Sequence, residues 1–242
     1  MAQASHQTPT TILRKLVFAL LIFGGTYTLA GELRPLVVRE QPLPGDDGVQ
    51  GPCAVWFIGS STVARWSTMA RDMAPWRTEN RGVGGALIGD LTARIETEKT
   101  PPPPGTVVIY VGDNDLAAGQ PVEEVAAKLF AFIALVRERM PDTRLIVLGI
   151  KPSPARWTLR PQQLRLDQLL RDRFGAIPRI SFADVGPSLL VRGRAGPYFV
   201  EDGIHLNAAG YAAWGGAVRR AVERSVAPDQ VTRCTGPDAA KA

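Results

Sequence analysis

Proton transfer near neutral pH calls for an imidazole, and the chain holds two histidines, His6 and His205. His6 stands in an N-terminal leader. Such chemistry therefore has to be built on His205, within the stretch Asp202-Gly203-Ile204-His205-Leu206-Asn207. Asp202 lies three positions earlier, so one turn of chain can bring its carboxylate to the ring and fix the tautomer. Ser60 and Ser61 follow an apolar run at Gly59, and a serine hydroxyl becomes a nucleophile once a base takes its proton. Attack on a carbonyl also needs donors for the oxygen that becomes negative. The Ser61 and Gly85 backbone N–H groups and the Asn114 side-chain amide can supply them. Hydroxyl, imidazole and carboxylate together are what acyl transfer requires. Each has a plainer use, with the serines as helix caps and Gly82–Gly85 and Asn114 as turn residues. Their occurrence together with the one usable histidine favours catalysis.

These residues share a site only if the fold brings them together, and the hydrophobic pattern supplies such a fold. Cys53–Ile58, Val107–Val111 and Leu145–Ile150 are apolar on both faces, as strands buried inside a parallel sheet are, and Ile180–Val185 is a shorter strand. Between them lie helical stripes. Val63, Trp66, Ala70 and Met73 form one, and Leu87, Leu91 and Ile95 a second. Val125, Leu129, Phe132, Val136 and Met140 form a third, with Glu124 and Lys128 paired outside. Leu166, Leu169, Leu170 and Phe174 precede Gly175, and Asn207 caps a helix carrying Tyr211, Trp214, Val218 and Val222. Alternating strands and helices predict an α/β domain with a parallel sheet and helices on both faces. Loops after the carboxyl ends of such strands share one rim. Ser60-Ser61, Asn80–Gly85, Gly112–Asp115, Lys151–Trp157 and Asp202–His205 all fall there. Asn80–Gly85 reads as a Gly-rich turn, and a dinucleotide fingerprint would need a glycine where Leu87 stands.

With those residues in place the chain resembles the SGNH or GDSL hydrolases (lipases and esterases). Phe57-Ile58-Gly59-Ser60-Ser61-Thr62 looks like the block that carries the nucleophile, at Ser61. Asn80-Arg81-Gly82-Val83-Gly84-Gly85 looks like the block with the oxyanion glycine, at Gly85. Gly112-Asp113-Asn114-Asp115 matches the block whose amide completes the oxyanion hole, at Asn114. Asp202–Asn207 matches the block with the base, His205, and its orienting acid, Asp202. The blocks span about residues 53 to 226 in family order. The resemblance implies a three-layer α/β/α sandwich of flavodoxin type with a five-stranded parallel sheet. It implies a serine esterase working through an acyl-enzyme, with no metal and no organic cofactor. It also puts Arg156 and Trp157 on the leaving-group side. Ser60 stands where the family name has Asp, so which serine attacks needs a test. Asp113 stands where many members have Gly, and Ala86 where others carry a polar residue. An O-acyltransferase or deacetylase acting on envelope polysaccharide could use the same residues, and a non-catalytic glycan-binding module is the alternative from another class.

Composition narrows the partners. The 242 residues carry a formal net charge of +5, and a chain starting near residue 31, without Arg14 and Lys15, carries about +3. The remaining basic residues are scattered, which argues against nucleic acid and for a small-molecule or glycan ester. Arg14-Lys15, the apolar Leu16–Phe23 and the small residues to Ala30 fit an export signal, or an uncleaved membrane anchor, over residues 1–30. Either reading places the domain outside the cytoplasm, periplasmic or secreted. Residues 31–52 read as a Pro/Gly-rich linker, 53–226 as the hydrolase domain and 227–242 as a tail. Two cysteines and one usable histidine do not make a zinc site of the usual composition. Cys53 and Cys234 can be a bridge or two thiols. A helix of about 20 residues from Asn207 runs ~30 Å back to the opposite face, where Cys53 enters the first strand, so Cys234 could approach it there and close a bridge.

Overall fold

The computed structural model describes residues 42–45, 48–98 and 102–235, so the stretch read as an export signal or anchor lies outside the described residues. Five strands, β1 (Gly51–Gly59), β2 (Arg77–Gly82), β3 (Pro104–Tyr110), β4 (Arg144–Leu148) and β5 (Ile180–Ala183), form one sheet. All neighbours are parallel, in the order β2-β1-β3-β4-β5. This is the flavodoxin-type order, and it fits the α/β expectation.

The pleat sorts each central strand into two cores. Trp56 and Ile58 of β1, Val107 and Ile109 of β3, and Leu145 and Val147 of β4 face one way. There they meet α3 (Ile88–Thr97), α5 (Val122–Arg139) and α6 (Arg160–Phe174). Val55, Phe57, Val108, Tyr110, Ile146 and Leu148 face the other way, onto α1 (Ser61–Ala64), α2 (Met69–Asp72) and α7 (Ala208–Ser225). Since side chains alternate along a strand, runs apolar at every position are what a sheet buried on both faces requires.

The chain departs from its hydrophobic pattern in three places. β2, Arg-Thr-Glu-Asn-Arg-Gly, occupies an edge and has no apolar alternation, so only its pairing with β1 reveals it as a strand. Its Arg81 is nonetheless buried, stacked 4.2 Å over the Trp56 ring and paired with Glu98 at 2.6 Å. The spacing of Val63, Trp66, Ala70 and Met73 predicts one helix, whereas the chain forms α1 and α2 with a turn between them. Thr68 and the Trp66 indole N–H both donate to Asp72, an arrangement that holds the turn while leaving Val63, Trp66 and Met73 inward. Residues from Pro228 onward carry no helical stripe of their own, yet α8 (Pro228–Thr235) packs against β1.

A disulfide joins Cys234 of α8 to Cys53 of β1, with Cα atoms 5.2 Å apart and a sequence separation of 181. Closing so long a loop restricts the unfolded chain, which is worth about 2–5 kcal/mol. Protein denatured without reductant should therefore show no reactive thiol, and the reduced form should melt several degrees lower. Two thiols per chain would contradict the bridge.

A second expectation concerns Asp167 of α6. Its Oδ1 accepts from the Ile150 N–H at 2.9 Å, while burial pushes the carboxyl up from 3.8 to about 7. The folded state thus holds this proton more tightly than the unfolded state does. Its contribution is fully present below about pH 4 and is lost as pH rises through about 7. In Asp167→Asn the acceptor survives and the titration does not. The stability difference between wild type and variant should fall steadily over that window and level off above it. Parallel stability curves would contradict the assignment.

Candidate active site

All five polar loops singled out in the sequence leave the carboxyl ends of the strands on one rim. β1 ends at Gly59, and Ser60 is the non-helical residue before α1. The Ser60 N–H bonds Tyr110 O of the neighbouring strand at 3.1 Å, while its carbonyl accepts from Val63 and Ala64. That fixes the turn and buries the Ser60 side chain. Ser61, one residue on, is half-buried and opens toward the rim. Tyr211 of α7 donates to Thr62 O at 3.0 Å and stacks on Trp66, so α1 is clamped from the side facing the core.

The opposite wall is a hairpin-like loop. Tyr198–Val200 runs antiparallel to His205–Asn207, with Val200 N bonded to His205 O at 2.9 Å and Asn207 N to Tyr198 O at 3.0 Å. Gly203, at φ +64, makes the return, in backbone space that residues with a Cβ rarely enter. Asn207 holds the loop to α7. Its Oδ1 accepts from Gly210 N at 2.9 Å, and its Nδ2 donates to Pro197 O at 3.1 Å and Phe199 O at 3.3 Å.

Between these walls the structure brings Ser61, His205 and Asp202 into one chain of hydrogen bonds. Ser61 Oγ lies 2.9 Å from His205 Nε2, and His205 Nδ1 lies 2.6 Å from Asp202 Oδ2. Asp202 Oδ1 accepts the backbone N–H groups of Ile204 and His205 at 2.8 and 2.9 Å. The hydrogen bond from the His205 ring, followed by those two backbone donors, holds the carboxyl well below the usual carboxylate range. It is 41% exposed, so water screens part of that preference, but it remains an anion at neutral pH. An anion facing Nδ1 keeps the proton there and leaves Nε2 free to accept one. Such a chain can draw the proton off a hydroxyl.

The glycine loop runs beside Ser61. Asn80 Nδ2 donates to Val63 O at 2.8 Å and its Oδ1 accepts from Gly82 N, tying the end of β2 to α1. A Cβ on Gly82 would come within 2.3 Å of Ala64 N, so the approach of α1 to β2 requires glycine there. Gly85, at φ +72, turns the chain toward Ala86, and nothing lies within 4 Å of where its Cβ would be. Asn114 sits in α4 (Asp113–Ala117) and donates from Nδ2 to Ala86 O at 3.0 Å, so Asn114 and the glycine turn are directly bonded.

Spacing alone did not reveal the polar network beneath Asn114. Buried Asp113 receives Arg156 Nη1 at 2.6 Å, Gln163 Nε2 at 3.1 Å and Lys151 Nζ at 3.3 Å. Arg156 Nη2 goes on to Asn114 Oδ1 at 3.0 Å. These bonds commit the guanidinium to Asp113 and Asn114 and leave little of it open to a leaving group. Trp157 follows it, half-buried, in the same 3-10 turn (Pro154–Leu159). Lys151 is buried as well, and loss of solvent lowers its pKa while Asp113 opposes the shift. Asp115 was also missed. Both its oxygens lie 3.3 Å from Ile88 N at the start of α3, and burial raises its carboxyl. The partners of Asp113 and Asp115 come from 27 to 50 residues away, a separation no local pattern reports. Among the described residues no group of three or more His, Cys, Asp or Glu side chains is placed to hold a metal ion.

Comparison with known proteins gives the family and the fold. The model of the GDSL-like lipase/acylhydrolase family matches residues 45–213. Platelet-activating factor acetylhydrolase IB subunit alpha1 of Pongo abelii is 31% identical over 186 residues, covering 73% of this chain and 78% of that protein. A structure from Streptococcus pneumonia superposes with a TM-score of 0.65 at 20% identity, covering 85% of this chain and 99% of that one. A family 3 carbohydrate esterase from Clostridium thermocellum does so with a TM-score of 0.55 at 16% identity, over 70% and 98% of the two chains. At those identities the two structures speak for the fold.

Asn207 joins the His205 loop to α7 through three hydrogen bonds, so Asn207→Ala should cost about 1–2 kcal/mol of stability. Ester hydrolysis should weaken with it as the loop loosens. An unchanged melting temperature would show that the cap carries no weight.

Proposed function

The chain belongs to the GDSL-like lipase/acylhydrolase family and hydrolyses ester bonds, and from that premise we propose that it does so through an acyl-enzyme on Ser61. The observation that carries the reading is the 2.9 Å approach of Ser61 Oγ to His205 Nε2, with Asp202 behind the ring. His205 takes the hydroxyl proton as Ser61 Oγ forms its bond to the ester carbonyl carbon. Asp202 stabilises the imidazolium without becoming protonated. The carbonyl oxygen turns negative and accepts from the N–H groups of Ser61 and Gly85 and from Asn114 Nδ2. As the intermediate collapses, His205 returns the proton to the departing alcohol. Water, deprotonated by the same nitrogen, then attacks the acyl-enzyme and frees the acid and Ser61.

The curated relative's name, an acetylhydrolase, supports a short acyl group on the substrate. We infer further that the enzyme is exported. The Cys53–Cys234 bridge supports this, since disulfides persist in oxidising compartments, and so does the signal-like character of residues 1–30. Two free thiols in protein taken directly from cells would contradict export.

Burial supports Ser61 over Ser60 as the attacking serine. Ser60 is enclosed at the strand end, whereas Ser61 faces the imidazole. Ser61→Ala should lower kcat on p-nitrophenyl acetate by about 10⁴-fold or more, while Ser60→Ala keeps most of it. The reverse result would move the nucleophile by one residue and overturn the reading.

A further inference from the structure

Asn114 is held at both ends of its amide. Nδ2 donates one hydrogen to Ala86 O at 3.0 Å, and Oδ1 accepts from Arg156 Nη2 at 3.0 Å. An amide has two donor hydrogens, so one Nδ2–H is left over, and the two existing bonds fix the plane in which it points. The oxygen end decides which way round the amide sits. A guanidinium has only donors and can face only Oδ1, so Arg156 excludes the flipped amide. Arg156 is itself anchored. Its Nη1 is 2.6 Å from Asp113 Oδ2, and Asp113 is held by Gln163 at 3.1 Å and Lys151 at 3.3 Å. Gln163 belongs to α6, so the line of bonds runs from a packed helix to the rim. The loop carrying Arg156 is also fastened to the wall opposite, through Ala155 N to Gly203 O at 3.1 Å.

We propose that Arg156 is a positioning residue for ester hydrolysis, setting the orientation of the Asn114 amide and strengthening its free N–H through the cation bound at Oδ1. The inference rests on the reading of Asn114 as an oxyanion donor. A charge-assisted bond at the carbonyl end draws electrons toward Oδ1 and makes the nitrogen hydrogens better donors, as in other hydrogen-bonded chains. No bond to substrate is involved, so Arg156 acts on the rate of the chemical step and leaves binding of a neutral ester alone.

The test is a double-mutant cycle on p-nitrophenyl acetate, with kcat and KM measured separately. Asn114→Ala removes the donor and should lower kcat by about 10²–10³-fold. Arg156→Met, which leaves Asp113 with Lys151 and Gln163, should lower kcat about ten- to a hundredfold with KM changed less than about threefold. Combined with Asn114→Ala it should cost nothing more, because its effect passes through that amide. Arg156→Lys retains a cation for Asp113 but cannot reach two partners as a fork does. It should melt as the wild type does and still lose kcat several-fold. Multiplied losses in the double variant, a rise in KM alone, or unchanged kcat in Arg156→Met while Asn114→Ala is crippled would overturn the positioning role and leave the oxyanion reading standing. Full kcat in Asn114→Ala would overturn both.

Discussion

An imidazole held between a hydroxyl and a carboxylate is the constraint that the rest of this structure serves. The two hydrogen bonds of His205 fix its tautomer and its aim, and they join residues 144 positions apart in sequence. Neither the Ser61 turn nor the His205 loop can set that distance by itself. The parallel sheet does so by delivering both to one rim, and side chains then fasten each in place. The Tyr211 hydroxyl reaches Thr62 O, and Asn207 ties the histidine loop to the helix it caps. The aromatic cluster of Trp66, Tyr211 and Trp214 packs beneath α1, which lets a short helix of four residues hold the Ser61 hydroxyl in place.

The charged network under Asn114 answers a different need. Burying Lys151, Asp113 and part of Arg156 means removing ions from water, and a well-packed apolar cluster would often be as stable or more so. What ions with directed hydrogen bonds supply is orientation. The same principle appears at Asp202, whose two backbone donors leave its second oxygen aimed at the ring. In both places a carboxylate is fixed first and the functional group is then hung from it. Each element is thus anchored to the scaffold before it meets a substrate, which is what electrostatic catalysis requires.

Much of this was legible in the residues themselves. The unbroken apolar runs Cys53–Ile58, Val107–Tyr110 and Leu145–Leu148 in β1, β3 and β4 announce a doubly covered sheet, and helical stripes announce α5 and α7. The Ser61, Gly85, Asn114, Asp202 and His205 motifs fall where such a sheet places its loops. What escaped notice was polar or dependent on distant partners. β2 is an edge strand whose buried arginine is supported by Trp56 and Glu98, and a run such as Arg-Thr-Glu-Asn-Arg carries no β signal alone. The break between α1 and α2 depends on Asp72 collecting donors from Trp66 and Thr68, while the apolar spacing runs on across it. The helix Pro228–Thr235 is held by its bridge and by β1, with Val231 and Cys234 turned to the core, too few apolar positions to announce a helix. The partners of Asp113 lie 38 to 50 residues downstream, beyond the reach of any motif.

The central claim is that Ser61 is made nucleophilic by His205, and covalent trapping tests it most directly. The folded enzyme would be treated with a fluorophosphonate probe at neutral pH, digested, and the modified peptide sequenced by mass spectrometry. The account predicts one adduct, on Ser61, formed quickly in the wild type and very slowly in His205→Ala. An adduct on Ser60, or equal labelling of Ser61 with and without the imidazole, would contradict it.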